Sequence, residues 1–342
     1  MTENQAAWLT EAEAYPFAVN DGPKPIPGPG EIVIKNAAVA INPVDWKIQS
    51  HGRYLNTYPF VLGEDAAGVV EAVGSGVTRF FKGQRVIAHC HGIMTRNPAN
   101  SSFQLYPVVT EDLAAPIPDS LSFEQAVVLP LAISTASAGL FQKEHLNLPL
   151  PSVNKAEPTG QTILIWGGAS SVGATAIQLA AASGLNVVTT ASEANHEFVK
   201  SLGADIVFDY RSPAIVQEIA NALEDTEFVG IYDAISEEDS FAALVALVEK
   251  LNISVPVASV LPYDKPPETF APKFVLAYSI IQEPNQHVGE WIWGKFVPEA
   301  LGNKRLQAKP DDLVVGTGLK DIQNALDIQK RGVSAKKVVV SL

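Results

Sequence analysis

The residues best suited to chemistry stand in the run Gly167-Gly168-Ala169-Ser170-Ser171-Val172-Gly173. It follows the β-favouring Thr162-Ile163-Leu164-Ile165-Trp166 and leads into the Ala-rich stretch 174–182, the strand-turn-helix opening of a dinucleotide-binding unit. Small residues at such a turn let a pyrophosphate reach backbone N–H groups and the positive end of a helix with no Cβ in the way. Gly168 and Gly173 supply that clearance. Ser170 takes the middle place of G-x-G-x-x-G, where its hydroxyl can face phosphate, and Ser171 and Val172 complete the cradle. Read strictly, the motif fails at Ser170, and close packing of a helix on a strand is the other use of the same small residues.

The next strand ends Thr190-Ala191-Ser192. An Asp or Glu at that place accepts the ribose 2′-hydroxyl of NAD and repels a 2′-phosphate, so hydroxyls there favour NADPH. Glu193 stands one residue late. Ser192, Asn195 and Lys200 follow as candidate contacts to the adenosine phosphate, against the ordinary uses of a capping Ser or Asn and a solvated Lys. A third constellation, His89-Cys90-His91, would put two imidazoles on one face of a strand. Two ligands do not close a zinc site, and strand-end histidines are the simpler reading.

These residues need elements to hold them. From residue 162 on, strands at 162–166, 186–191, 206–209, 230–234 and 254–259 alternate with helical stretches at 174–182, 195–202, 213–222 and 240–247. That pattern makes a doubly wound parallel sheet. The first 120 residues read as short strands and turns, among them 31–41, 68–73 and 85–88, before a helical stretch at 122–141. The tail, 335–342, is a Val-rich strand with no following helix and is expected to return to the first domain. A strand at 254–259 is a candidate sheet edge for dimerisation, with four prolines in 260–272 positioned to block it, so monomer and homodimer both stand.

Composition narrows the partners. At 342 residues the chain suits two domains. A net charge of −13 with no basic cluster argues against nucleic acid and anionic membranes. The single Cys90 excludes an internal disulfide framework and a four-cysteine zinc lobe. With no secretory pattern at the N-terminus and no uninterrupted apolar run of membrane-spanning length, a soluble cytoplasmic protein is expected.

Further motifs carry a resemblance. Asn42-Pro43-Val44-Asp45-Trp46-Lys47, then Tyr58-Pro59-Phe60-Val61-Leu62-Gly63-Glu64-Asp65-Ala66-Ala67-Gly68, Gly83-Gln84-Arg85-Val86, the glycine turn, Leu202-Gly203-Ala204-Asp205 and Phe208-Asp209-Tyr210 follow in order. Over nearly its whole length the chain resembles the medium-chain dehydrogenase/reductase superfamily. It is most similar to the zinc-independent quinone and enoyl reductases, especially the fungal trans-acting enoyl reductases that serve polyketide synthases.

The resemblance implies an α/β fold: a GroES-like, β-rich substrate domain from 1–130 and 282–342, with a Rossmann domain at 131–281 inserted. It implies no metal, because the segment Asn42-Pro43-Val44-Asp45 has no Cys where zinc members carry one, and Gly63-Glu64-Asp65 has no His where they carry theirs. It places Tyr210 at the adenosine phosphate and Asn42 beside the nicotinamide. Thr135 falls at the nicotinamide ribose and substrate thioester, and Lys336 or Lys337 in a loop that approaches the cofactor. Tyr54 matches a catalytic tyrosine of related enoyl reductases; a phenol is protonated at neutral pH and can donate to an enolate. An aromatic pocket wall is the plainer use of Tyr54, a turn residue that of Asn42, and a helix-start residue that of Thr135.

The expected reaction is NADPH-dependent reduction of the carbon–carbon double bond of an α,β-unsaturated carbonyl, as a free enone or carrier-bound enoyl group, with a polyketide synthase or acyl carrier as partner. A quinone reductase and a nonenzymatic NADPH-binding sensor are the alternatives.

Overall fold

The computed structural model describes residues 3–52 and 54–342. The chain forms two compact units, one running to Leu131 and resuming at Ala308–Leu342, the other comprising Ala132–Gln307. Residues 282–307 therefore belong to the second unit, whereas the sequence assigned them to the first. They form helical turns, Gln286–Trp291, a π-helical Ile292–Phe296 and Val297–Gly302, whose Trp293, Phe296 and Val297 are buried.

The first unit holds β1 (Gln5–Leu9), β2 (Ala18–Asp21), β3 (Glu31–Ala40), β4 (Phe60–Val61), β5 (Asp65–Val73), β6 (Arg85–His89), β7 (Val108–Thr110) and β8 (Ala114–Pro116). The second holds β9 (Gln161–Trp166), β10 (Asn186–Thr190), β11 (Ile206–Phe208), β12 (Glu227–Asp233), β13 (Val257–Ser259) and β14 (Lys273–Phe274). The chain closes with β15 (Asp311–Thr317) and β16 (Lys336–Ser341), back in the first unit.

In the first unit a sheet of order β15-β16-β3-β5-β6-β8, with β7 on β3, packs its apolar side chains with those of the small sheet β2-β1-β4. The tail strand lies antiparallel to β3, Val340 opposite Val39. Along β16 the faces alternate, so Lys336 is exposed and Lys337 is buried. Helix Pro43–His51 starts directly after β3 and ends at Gly52, whose positive φ of 57° suits a left-handed C-cap.

In the second unit all six strands are parallel, in the order β11-β10-β9-β12-β13-β14. Counted from β9 this is 3-2-1-4-5-6, the Rossmann order, and its switch point lies at the carboxyl end of β9. β9 is apolar and buried from Ile163 to Trp166, as a strand with both faces covered requires. The strand after the proline-rich stretch, β14, pairs with β13, so β13 is an inner strand and the edge lies at β14. The helical stretch at 122–141 divides into Phe123–Ala126 and Pro130–Phe141. By length and composition 123–141 could span a membrane, but 78% of it is buried within the fold.

Candidate functional site

At the switch point β9 hands over to helix Ser171–Ala182 through a turn that admits only glycine at three places. Gly167 has φ +82°, and a Cβ on it would lie 2.4 Å from Ile235. A Cβ on Gly168 would fall 2.3 Å from Thr189 Oγ1, and one on Gly173 2.2 Å from the Gly167 carbonyl oxygen. Thr190 Oγ1 accepts the Gly167 N–H at 2.9 Å, tying the turn to the next strand.

Ser170 is used differently from the sequence expectation of a hydroxyl facing phosphate. Its Oγ accepts the Gly173 N–H at 3.0 Å and donates to the Gly167 carbonyl at 2.8 Å, so it caps the helix and closes the turn. The N–H groups of Ser171 and Val172, in the first helical turn and half-buried, have no acceptor among the described residues. With the helix dipole behind them they form an anion cradle, which fits the pyrophosphate of a dinucleotide.

Beside the cradle, β10 and β11 end together, Thr190 opposite Phe208, and the Ala191 N–H donates to the Phe208 carbonyl at 3.0 Å. Asn195 Nδ2 donates to Ser192 Oγ at 3.0 Å, which brings these two expected contacts together. Lys200 is exposed and held by Glu197 at 3.0 Å, so its charge is already matched. Tyr210 is exposed, under the guanidinium of Arg211.

Thr135 is half-buried on helix Pro130–Phe141. Tyr232 and Gly139, which sequence reasoning missed, fix that helix together with Trp293. The Tyr232 hydroxyl donates to the Thr135 carbonyl at 2.8 Å, and Trp293 Nε1 donates to Ser134 Oγ at 3.1 Å. Gly139 makes room for the Tyr232 ring, which would lie 2.4 Å from a Cβ there. Burial, with Asp233 adding to it, pushes the Tyr232 phenol up, so it remains a donor. A glycine inside a helical pattern was the available signal for Gly139.

The first unit buries a polar network of its own. Asn42 Nδ2 donates to Asp65 Oδ2 at 2.7 Å, and the Leu131 N–H donates to Asp65 Oδ1 at 2.6 Å. Lys337 Nζ meets Asn42 Oδ1 and lies 3.0 Å from Asp65 Oδ2. Both ends of the Asn42 amide are thus taken up inside the protein. Lys336, the expected cofactor contact, points to the opposite face and pairs with Asp311 at 3.2 Å. Tyr54 lies elsewhere in this unit, 52% exposed and at φ +69°. A left-handed conformation costs a bulky residue on the order of 1–3 kcal/mol, and such strain collects at functional sites.

Next to the network Asp45 is fully buried; Oδ2 accepts the Asn42 N–H at 2.8 Å and Oδ1 has no partner. Burial raises its pKa well above the usual carboxylate range, only partly offset by the Asn42 N–H. The folded state then holds this proton more tightly than the unfolded chain. Its stabilising effect is complete at acid pH and is lost as pH rises from the ordinary carboxylate range through the folded pKa. Asp45→Asn is therefore expected to flatten the pH dependence of stability. Urea midpoints measured from pH 4 to 8 should show the variant gaining on the wild type as pH rises; a constant difference would refute the assignment.

The two histidines sit in different settings. His89 ends β6 and contacts Glu64 Oε2 at 3.1 Å, while His91 lies past the strand. Burial lowers the His91 pKa to about 4, which leaves it neutral.

Two family models match the chain, the alcohol dehydrogenase GroES-like domain over residues 28–119 and zinc-binding dehydrogenase over residues 171–280. The chain is 44% identical to "Trans-enoyl reductase himH" of Aspergillus japonicus, covering 99% of this chain and 97% of the relative. It is 34% identical to "Trans-enoyl reductase tndF" of Aspergillus flavipes, covering 99% of each. A solved alcohol dehydrogenase superfamily protein from Novosphingobium aromaticivorans superposes with TM-score 0.77 at 26% identity, over the whole of both chains.

The donor set does not suit the zinc that the second family description implies. The oxygens of Asn42 and Asp65 face an ammonium, Glu64 is bound to His89, and among the described residues no three His, Cys, Asp or Glu side chains converge. A GroES-like unit, a Rossmann sheet with its glycine cradle and full-length relatives together place this chain: it is an oxidoreductase of the medium-chain dehydrogenase/reductase superfamily and belongs to its enoyl reductase branch.

Proposed function

We propose that the protein is an NADPH-dependent, zinc-independent enoyl reductase that saturates the carbon–carbon double bond of an α,β-unsaturated carbonyl in secondary metabolism, acting in trans to a polyketide synthase. One observation carries this reading: a nucleotide cradle stands beside a strand end that bears hydroxyls and no carboxylate, in a chain whose full length matches trans-enoyl reductases.

In this reading the N–H groups of Ser171 and Val172 hold the pyrophosphate, while Ser192, Asn195 and Tyr210 receive the adenosine end. When bound, the dinucleotide supplies the hydride. Thr135, on its pinned helix, orients the ribose and the substrate carbonyl. Tyr54 gives its phenolic proton to the enolate carbon and regains one from solvent, so the alkene gains two hydrogens in all. Asn42 acts through the Asp65–Lys337 network and not by touching substrate.

Because Tyr54 is half-exposed, water replaces part of its function. Tyr54→Phe is expected to lower kcat by about ten- to a hundredfold, at the low end of general acid catalysis, with the KM for NADPH unchanged. Full kcat in the variant would remove the acid role. The reaction class is tested with purified protein and NADPH against 2-enoyl thioesters, enones and quinones. A kcat/KM for enoyl thioesters at least about tenfold above that for quinones is expected, and the reverse order would overturn the reading.

A further inference from the structure

We infer that Lys47 and Lys330, gathered around the indole of Trp46, form a site for the phosphate of a pantetheine-borne enoyl thioester. The inference rests on the enoyl reductase reading above and names the part of its substrate that lies beyond the reacting carbons.

The sequence holds no basic cluster, yet the fold makes one in the first unit. Helix Pro43–His51 packs on helix Ile322–Arg331, and the buried amides of Gln49 and Gln323 exchange hydrogen bonds at 2.8 and 3.2 Å, which fixes the two helices in register. Lys47 and Lys330 thereby come to one ring, each Nζ lying 5.6 Å from the Trp46 centroid. Lys330 Nζ also donates to Ser50 Oγ at 2.9 Å.

Both ammoniums are held by neutral groups. Among the described residues no carboxylate pairs with either of them. Asp327, on the same helix as Lys330, is taken up by the Tyr15 hydroxyl at 2.8 Å and the Gln323 amide at 3.1 Å. Glu11 and Glu13, on the loop beside Gly52, pair with neither lysine. Elsewhere on the surface Lys82 is matched by Glu71, Lys200 by Glu197, and Lys309 and Lys336 by Asp311. An indole face and a hydroxyl orient an ammonium without cancelling its charge, so two like charges are kept together, ordered in advance for an anion.

Position ties this pair to the reacting end of the substrate. Ser50 stands in the last turn of its helix, and the chain turns at Gly52 and runs to Tyr54. Four residues reach at most about 14 Å, so the backbones of Ser50 and Tyr54 lie no farther apart than that. A pantetheine arm sets its phosphate at the far end of two linked amides from the thioester, a span of the same order, and that phosphate is the arm's only charge. Two ammoniums meet it as point charges, and on a chain of net charge −13 they are what lets an anionic substrate settle.

The test compares turnover of crotonyl-phosphopantetheine with that of crotonyl-pantetheine, which differ only in the phosphate, by the full chain with NADPH. In the wild type kcat/KM for the phosphorylated ester should be higher by about tenfold or more, and the ratio should shrink as salt is raised. In Lys47→Met combined with Lys330→Met the ratio should fall to within about twofold of unity and lose its salt dependence, whereas Lys47→Arg with Lys330→Arg should keep most of it. Lys82→Met, which removes a matched surface lysine, should leave the ratio as in the wild type. Disturbed packing around Trp46 would slow both esters alike, so the ratio reads the site and not the fold. The double Met variant should also lose kcat/KM for crotonyl-CoA and for a crotonyl-loaded carrier domain relative to crotonyl-pantetheine, and whichever of the two is favoured in the wild type is the source of the arm. A wild-type ratio near one, or a ratio unmoved in the double Met variant, would overturn the site while the reductase reading stands. Failure of both esters to be reduced would overturn that reading and the site with it.

Discussion

Gly173→Val is expected to lower NADPH affinity at least a hundredfold, about 2.7 kcal/mol, while the protein stays folded. A Cβ at Gly173 would lie 2.2 Å from the Gly167 carbonyl oxygen and 2.9 Å from Gly168 Cα, both backbone atoms that cannot rotate aside. Only opening the turn relieves the clash. That breaks the Ser170 cap and moves the Ser171 and Val172 N–H groups, the two donors the turn leaves for pyrophosphate. The rest of the Rossmann core is anchored elsewhere, on Ile231, Phe241 and Leu244. Titration by fluorescence, with far-UV circular dichroism on the same samples, reads binding and fold separately. Gly302→Ala is the control, since a Cβ there meets nothing within 4 Å. Affinity within threefold of wild type in Gly173→Val would show that the cradle is not the binding site.

Lys337→Met is expected to destabilise the protein by about 3–5 kcal/mol, the usual cost of removing one partner from a buried ion pair. Lys337 is 4% exposed and Asp65 fully buried, so water cannot take over from the ammonium. The loss leaves a buried carboxylate with only the Asn42 amide and the Leu131 N–H, and an Asn42 oxygen without a donor. Lys337→Met combined with Asp65→Asn should cost less than the sum of the two single changes, because no charge is then left unmatched. One residue earlier on the same strand, Lys336→Met removes an exposed pair and should cost no more than about 1 kcal/mol. Urea unfolding of the variants checks both. Equal effects at 336 and 337 would contradict the buried-pair account.

Much of the second unit was legible because its signals are local. A strand covered on both faces is largely apolar, and a helix pressed against it needs small residues at its start, so β9 and the glycine turn stand out in one stretch of chain. The return of β16 to the first unit followed equally from a lone strand with no helix after it.

What was missed depends on neighbours distant in sequence. The left-handed Gly167 and its tie to Thr190 require the adjoining strand, and the Tyr232 hydroxyl reaches a carbonyl 97 residues away. A pair of lysines at 336 and 337 gives no hint which one turns inward, since a one-residue shift on a strand exchanges the faces. Ser170 reads equally well as phosphate ligand or helix cap until the Gly173 N–H is placed 3.0 Å from its Oγ. The boundary moved from 282 to 308 because helices 286–302 carry apolar faces whose burying partners the sequence does not name.

The central claim is that the hydride reaches the β-carbon of a conjugated alkene. The measurement that bears on it most directly is turnover of a 2-enoyl thioester with NADPH deuterated at the transferable position of its nicotinamide ring, followed by NMR of the product. The expected product is saturated, with deuterium at the β-carbon and a solvent hydrogen at the α-carbon. Deuterium on the former carbonyl carbon, or an alkene returned intact while a quinone is reduced, would contradict it.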